Sequence, residues 1–410
     1  MKEIIKNEFV AEPSKDDCCS SDQQNKDCVS PLQTLFISTA GGVEDDAPCC
    51  GPKPAFPSSP YEKPGYRMYH FVEDFVETPV GDIPRVDTSL KGLDTVGTFR
   101  ARLGVSRDWY KVAPGLYCVG IPDEESPVLV TANYKLSFDS LRKELVGIDA
   151  WILVLDTRGV NVWCAAGKRT FSTEEVIRQV IGAGLDKLVS HRELILPQLG
   201  APGISSLKVK EGCGFKVIWG PIKASHLKTF LDNDRKAEIH MRQLTFTLGE
   251  RIVLIPVELY LIVKPSLAIL LALFVLSGIS PDIFSFSSAW FRGLNGAAAY
   301  FLGVMAGAVI VPTFLPWIPT RQFYIKGIFV GLAAGIIIVL HQGGNIMRLE
   351  SVTLLLLATT VSSYAAMNFT GATPFTSPSG VEKEMRQGIP IQAVAFVIAV
   401  IAWVAAPFMN

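Results

Sequence analysis

Three groups of residues in this 410-residue chain have the types and spacing to do chemistry. The first is the run Gly159-Val160-Asn161-Val162-Trp163-Cys164-Ala165-Ala166-Gly167-Lys168, which follows an apolar stretch ending at Asp156. Asn161 suits a helix N-cap and Gly167 suits C′, so the spacing predicts about one helical turn between them. Cys164 then falls near the third helical position, where unpaired backbone N–H groups and the positive end of the helix dipole favour a thiolate. Ala165 and Ala166 would leave the surface around the sulfur small and flat, open to something broad. The same spacing also suits a buried structural cysteine on a short connector.

The second group is Cys18-Cys19, Cys28 and Cys49-Cys50. They lie in residues 1–65, whose Asp, Ser, Pro, Gly and Lys content predicts a disordered arm. Their thiolates, Cys49 and Cys50 above all, could collect a soft cation such as mercury, or the cysteines could be incidental. No C-x-x-C spacing occurs, which argues against an iron–sulfur cluster or a zinc ribbon. The third group is small or polar. Thr131, Asn133 and Tyr134 follow a predicted strand end, where ligands of parallel sheets bind, and Gly200-Ala201-Pro202-Gly203 has the low profile a large ligand needs. Cys118 and Cys213 read as core thiols.

Apolar runs alternating with helical patterns position these groups. Strands are expected at Pro127–Thr131, Ala150–Asp156, Lys187–Ser190 and Phe215–Trp219. Helical segments are expected at Phe138–Leu145, Thr173–Ile181 and Ala224–Leu231. This pattern predicts an α/β, Rossmann-like domain over residues 112–235 with a mostly parallel sheet covered on both faces. Residues 66–111 read as a connecting segment.

Beyond Arg251 the charges thin out. Spans are expected at Ser266–Ser285, Leu294–Ile318, Phe323–Leu340, Val352–Asn368 and Ile391–Phe408, an all-α transmembrane bundle over residues 266–410. Residues 236–265 read as a linker in which Ile252–Val263 lies at the membrane interface. With five spans, Arg321, Lys326, Lys383 and Arg386 share the side of the soluble half, and Arg292 and Arg348 face the other, as the positive-inside rule favours. Residues 369–390 then form a cytoplasmic loop facing the soluble domain. No secretory signal is apparent at Met1–Glu8, so the soluble half is expected in the cytoplasm, anchored to the cytoplasmic membrane and its lipid. A net charge of −1 without a basic stripe argues against nucleic acid.

The run Asn161–Lys168 resembles the cap-helix motif of the corrinoid proteins required for mercury methylation. Pro114-Gly115-Leu116-Tyr117, Val128–Tyr134 and Trp219-Gly220-Pro221 resemble the corrinoid domain of the corrinoid iron–sulfur protein large subunit of the acetyl-CoA pathway. Asn368-Phe369-Thr370-Gly371-Ala372-Thr373-Pro374 and Ser379–Met385 resemble it too. The large subunit would need cluster-binding cysteines that are missing here, and a corrinoid domain followed by spans is similar to the mercury-methylation layout.

The resemblance implies a cobalamin-type corrinoid with Cys164 against cobalt as lower axial ligand. It implies contacts from Asn161, Val162, Trp163, Ala165, Ala166, Gly167 and Lys168, with Thr131, Asn133 and Gly200–Gly203 as further candidates. The histidine-on motif D-x-H-x-x-G is absent, since neither His191 nor His226 has the Asp or Gly placement. The implied reaction passes methyl to Hg(II), an electrophile, for which a strongly donating thiolate opposite the methyl group is useful. A ferredoxin-like iron–sulfur partner is implied as reductant and possible mercury donor, and a methyl-folate system as methyl source. Two rivals are a membrane-tethered methyl carrier of one-carbon metabolism and a thiol-based metal-trafficking membrane protein.

Overall fold

The computed structural model describes residues 57–59, 62–105, 107–342, 347–376 and 378–409. Cys18, Cys19, Cys28, Cys49 and Cys50 lie outside them.

Seven strands form one mixed sheet in the order β1-β2-β3-β5-β4-β6-β7. These are β1 Val72–Thr78, β2 Gly81–Val86, β3 Gly115–Val119, β4 Val128–Ala132, β5 Ala150–Leu155, β6 Glu193–Leu196 and β7 Lys216–Trp219. The strands β5, β4, β6 and β7 run parallel, whereas β3 is antiparallel to β5 and β1 to β2. Every residue of β4 and β5 is buried, as unbroken apolar runs demand when both faces are covered. Helix α1 (Gly92–Arg102) follows β2, and α2 (Lys135–Arg142) connects β4 to β5. After β5 come α3 (Val162–Gly167) and α4 (Thr173–Gly182), and α5 (Ser206–Cys213) joins β6 to β7. Helix α6 (Leu227–Asp232) follows β7.

Two expectations are corrected. Residues 66–111 are not a plain connector, because β1, β2 and α1 extend the sheet domain. Lys187–Ser190 is not a strand: Gly184 takes a left-handed conformation, Leu185–Lys187 closes a 3-10 turn, and the strand begins at Glu193.

A buried ion cluster ties the added segment to the domain. Asp94 on α1 receives Lys135 Nζ at 2.7 Å, Arg142 Nη2 at 2.8 Å and His70 Nε2 at 2.7 Å. Asp139 binds Lys135 at 2.6 Å and Arg142 at 2.7 Å. Burial alone would raise the Asp94 carboxyl, but hydrogen bonds from Lys135 and the Lys91 backbone, with the Lys135 charge, hold it far below the carboxylate range.

The C-terminal region contains five helices long and apolar enough to cross a membrane: Leu248–Ser277, Phe286–Thr313, Phe323–His341, Arg348–Ala372 and Ser379–Phe408. Ile252–Val263 is therefore not a separate interfacial segment, since helix Ile255–Ser277 runs through Pro265. Next to it Ser266 Oγ donates to Ile262 O at 2.7 Å. Nor is 369–390 an open loop. A 3-10 turn, Phe369–Ala372, leads to a helix that starts at Pro378 and passes through Pro390. Its buried Glu384 accepts from the Tyr324 N–H at 2.8 Å and from Thr370 Oγ1 at 3.3 Å, so it faces the apolar helices.

The glycines of these helices sit against neighbouring backbone. A Cβ on Gly303 would lie 2.8 Å from Ala358 O, and one on Gly331 would lie 2.8 Å from Thr359 Cα. Close backbone approach of this kind is how small residues join apolar helices. Arg292 is buried there as well. Its Nε contacts Glu350 Oε1 at 2.6 Å and its Nη1 donates to Ser277 O at 3.1 Å. Its Nη2 reaches Trp403 O, and its guanidinium lies 4.6 Å from the Trp403 ring centroid.

Candidate functional site

Helix α3 starts as expected. Asn161 Oδ1 accepts the N–H of Cys164 at 2.9 Å, which makes Asn161 the N-cap and Cys164 the third helical residue. The end differs. Gly167 is still helical, Lys168 is the C-cap, and Arg169 takes the left-handed turn with φ 58°. Asn161, Val162, Trp163, Cys164 and Lys168 are half-buried and Gly167 is exposed.

The strands place α3 at a topological switch point. From β4 the chain passes by α2 to β5 on one side, then crosses to β6 on the other. The crevice at the carboxyl ends of β4 and β6 is where such sheets bind ligands. A cavity of about 320 Å³ lies there. Thr131 of β4, Asn161, Val162 and Trp163 of the cap, Pro197 beyond β6 and Pro221 beyond β7 lie along its wall. Apolar surface predominates, with Ser137 and Ser140 of α2 among the polar groups. The sequence reading missed the α2 wall, because amphipathicity does not say where a helix seats.

Cys164 follows the cavity-lining Trp163 but packs against the edge of the core cluster that holds Val160, Ala165, Ala166 and Phe171. Burial raises the pKa of nearby Tyr134, against the lowering effect of Arg107 and Arg102. Two other thiols lie among the described residues. Burial pushes Cys118 up to about 12, and Cys213, also raised by burial, donates to Val209 O at 3.1 Å. Cys118 is a core thiol, as expected, whereas Cys213 is half-buried at the edge of the core cluster.

Several expected contact residues do other work. Ala165 and Ala166 are 0% and 4% exposed, so the flat surface assigned to them is core, the inward side of a one-and-a-half-turn helix. Asn133 is fully buried. Its Oδ1 accepts from Thr157 N at 3.1 Å, Thr157 Oγ1 at 2.9 Å and Gly159 N at 2.9 Å, while Nδ2 donates to Asp156 Oδ1 at 3.0 Å. It staples the turn between β5 and α3.

Gly200 and Gly203 belong to a 3-10 segment, Gln198–Gly203, that packs on α3. A Cβ on Gly200 would lie 2.5 Å from Phe171 Cε1, and one on Gly203 would lie 3.1 Å from Ala166 Cα. The low profile of Gly200-Ala201-Pro202-Gly203 thus serves the approach of backbone to the cap helix. Phe171 was invisible as a site residue, because its part depends on glycines about thirty positions away.

Asp156 closes the arrangement. It accepts from Ser58 N at 2.8 Å, Ser58 Oγ at 3.2 Å and Arg158 N at 3.1 Å, and its own N–H donates to Glu175 Oε1 at 2.7 Å. Among the described residues no three His, Cys, Asp or Glu side chains converge as a metal site.

Comparison with known proteins bears on this same region. Residues 105–231 match the family model described as CO dehydrogenase/acetyl-CoA synthase delta subunit. The chain is 35% identical over 130 residues to the acetyl-CoA decarbonylase/synthase complex subunit gamma of Methanopyrus kandleri, covering 31% of this chain and 28% of that one. It is 33% identical over 125 residues to the Methanocaldococcus jannaschii protein of that name, covering 30% and 25%. It is 32% identical over 114 residues to the corrinoid/iron-sulfur protein large subunit of Moorella thermoacetica, covering 27% and 25%. The chain therefore matches only about a quarter of the length of these relatives.

Proposed function

We propose that residues 112–235 bind a corrinoid, and that the chain is a membrane-anchored, corrinoid-dependent methyltransferase acting on Hg(II). The observation that carries this reading is the Asn161-capped α3 at the rim of an apolar cavity, with Cys164 at its third residue. The matched relative named as a corrinoid/iron-sulfur protein supports the cofactor class.

The residues present fit such a group. At about 320 Å³ the cavity is at the small end of ligand sites, so it suits the tail or one edge of a corrinoid and leaves the rest at its mouth. A bound corrinoid would supply the transferable methyl group on cobalt. Cys164 would offer a thiolate donor, favoured by the unpaired N–H groups at the start of α3. Asn161 fixes the Cys164 backbone, and Asn133 fixes the turn before it. Thr131, Val162 and Trp163 line the cavity. The Gly200–Gly203 segment braces α3 from behind. A donating anion such as a Cys164 thiolate would suit methyl transfer to an electrophilic acceptor, and Hg(II) is one. A ferredoxin-like iron–sulfur partner would return electrons, and a methyl-folate system would supply methyl. Cys49 and Cys50 are candidate mercury ligands on the arm.

The five apolar helices support a multi-pass anchor in the cytoplasmic membrane. A second reading, a membrane-tethered methyl carrier of one-carbon metabolism, is favoured by the acetyl-CoA names of the relatives. Methylmercury production by cells expressing the chain with its reductant decides between the two. A purified chain that takes up corrinoid while cells make no methylmercury supports the carrier. A chain that takes up no corrinoid refutes both.

A further inference from the structure

Helix α1 is built inside out. Its buried residues are Asp94 and Ala101, and Asp94 is committed to the ion cluster. Leu93, Val96 and Phe99, three residues apart, are 65%, 56% and 63% exposed, and Trp109 in the turn that follows is 73% exposed. A surface helix ordinarily turns its apolar stripe to the core, so a stripe turned outward marks a face that meets something else.

Its surroundings indicate what. Gly104, just past the end of α1, packs on the first apolar helix: a Cβ there would lie 2.7 Å from Tyr260 Cδ1 and 3.3 Å from Val257 Cγ2. On the N-terminal side of that contact lies Arg251. Its Nη1 donates to Pro312 O at 3.1 Å and to Thr313 O at 2.8 Å, where the second apolar helix ends. Tyr260 is about 14 Å along the helix from Arg251 and about 6 Å before the exposed Lys264, so the Gly104 contact falls in a stretch bounded by two cations. Beyond Thr313, Phe314 and Trp317 are 51% and 69% exposed, as aromatic side chains are at a bilayer boundary. The outward face of α1 continues from this boundary. Arg100 and Arg102 are exposed beside it and Arg107 is half-buried; Asp108 is exposed among them. Such side chains lay apolar stems on acyl chains and reach their guanidinium groups to phosphate.

We propose that α1 and Trp109 dock on the anionic headgroup layer of the bilayer, so that the soluble domain lies on the membrane and does not hang from a tether. This rests on the reading that the five apolar helices span a membrane. The test places the full chain in nanodiscs of phosphatidylcholine, with and without phosphatidylglycerol, whose acyl chains carry bromine close to the headgroup. Subtracting the emission of Trp109→Phe from wild type isolates Trp109, and Trp290→Phe does the same for an exposed tryptophan of the second apolar helix. The Trp109 component should lose about half its intensity, more with anionic lipid. Val96→Glu with Phe99→Glu should abolish that loss and leave Trp290 quenched. Quenching of Trp290 but not Trp109 overturns the docking and leaves the spans standing. So does shielding of Trp109 only when an iron–sulfur protein is added. No quenching of either removes the membrane reading, and the docking with it.

Discussion

Gly203 and Ala166 meet backbone to backbone: a Cβ added to Gly203 would sit 3.1 Å from the Cα of Ala166 and inside contact distance of the Phe171 carbonyl oxygen. Neither neighbour is the tip of a flexible side chain, so α3 or the Gln198–Gly203 segment must move to admit a methyl group. Gly203→Ala should cost about 1–3 kcal/mol of stability and shift the cap. Gly167→Ala meets nothing within 4 Å on an exposed helical position and should be neutral or stabilise by about 0.5–1 kcal/mol. Denaturant midpoints for the pair check this; equal midpoints would dismiss the close approach.

Asn133→Ala should destabilise the chain by roughly 1–3 kcal/mol, because it strands the buried Gly159 N–H and takes one of two acceptors from the Thr157 N–H and hydroxyl, which keep Leu155 O and Val160 O. The damage should centre on the turn before α3. Hydrogen exchange at residues 157–161 is the readout, and unchanged protection there would contradict the staple role.

Cys164→Ala should remove the thiolate signature from the visible spectrum of corrinoid-loaded protein and abolish methyl transfer to Hg(II). Cys164→His replaces a donating anion with a neutral imidazole and should retain corrinoid with transfer reduced by more than about tenfold. Full transfer by the alanine variant at normal corrinoid content would sink the ligand assignment.

The ion cluster predicts an acid limit. The folded pKa of Asp94 lies below its unfolded value of about 3.9, so its stabilisation is complete above that value and fades as pH falls towards the folded pKa. The soluble domain should lose stability steeply below about pH 4. Asp94→Asn leaves Lys135 and Arg142 short of counter-charge and should cost about 3–5 kcal/mol at neutral pH while flattening the acid slope. Melting curves from pH 3 to pH 7 compare the two; parallel profiles would exclude Asp94 as the titrating group.

What was legible in the sequence was local. An N-cap bonds three residues ahead, so Asn161 announced both α3 and the place of Cys164 within it. The strands β4 and β5 carry unbroken apolar runs and were read within a residue or two of their ends. What depends on distant partners was not legible. The charged, largely exposed β1 has no apolar run, and only its pairing with β2 makes it a strand. Asn133 looked like a ligand contact because its three donors lie more than twenty residues away. Pro265 and Pro390 looked like boundaries, yet both sit inside helices held by their neighbours. Gly167 has the residue type of a helix stop, but the left-handed turn fell to Arg169.

Arg292 also sets a timetable. Glu350 follows it by 58 residues and Trp403 by 111. At translation rates of about 5–20 residues per second, the arginine waits roughly 3–12 s for its carboxylate and twice that for the last helix. In that interval it is a lone cation within the first two turns of an apolar helix, a state costing at most about 3 kcal/mol. Biogenesis of the C-terminal half is thus complete only when the final helix arrives. A chain stopped before Ser379 keeps Glu350 but loses the Trp403 carbonyl and ring that hold the guanidinium. Such a chain should be cleared by membrane proteases faster than full-length protein, and pulse-chase turnover of the two would show whether it is.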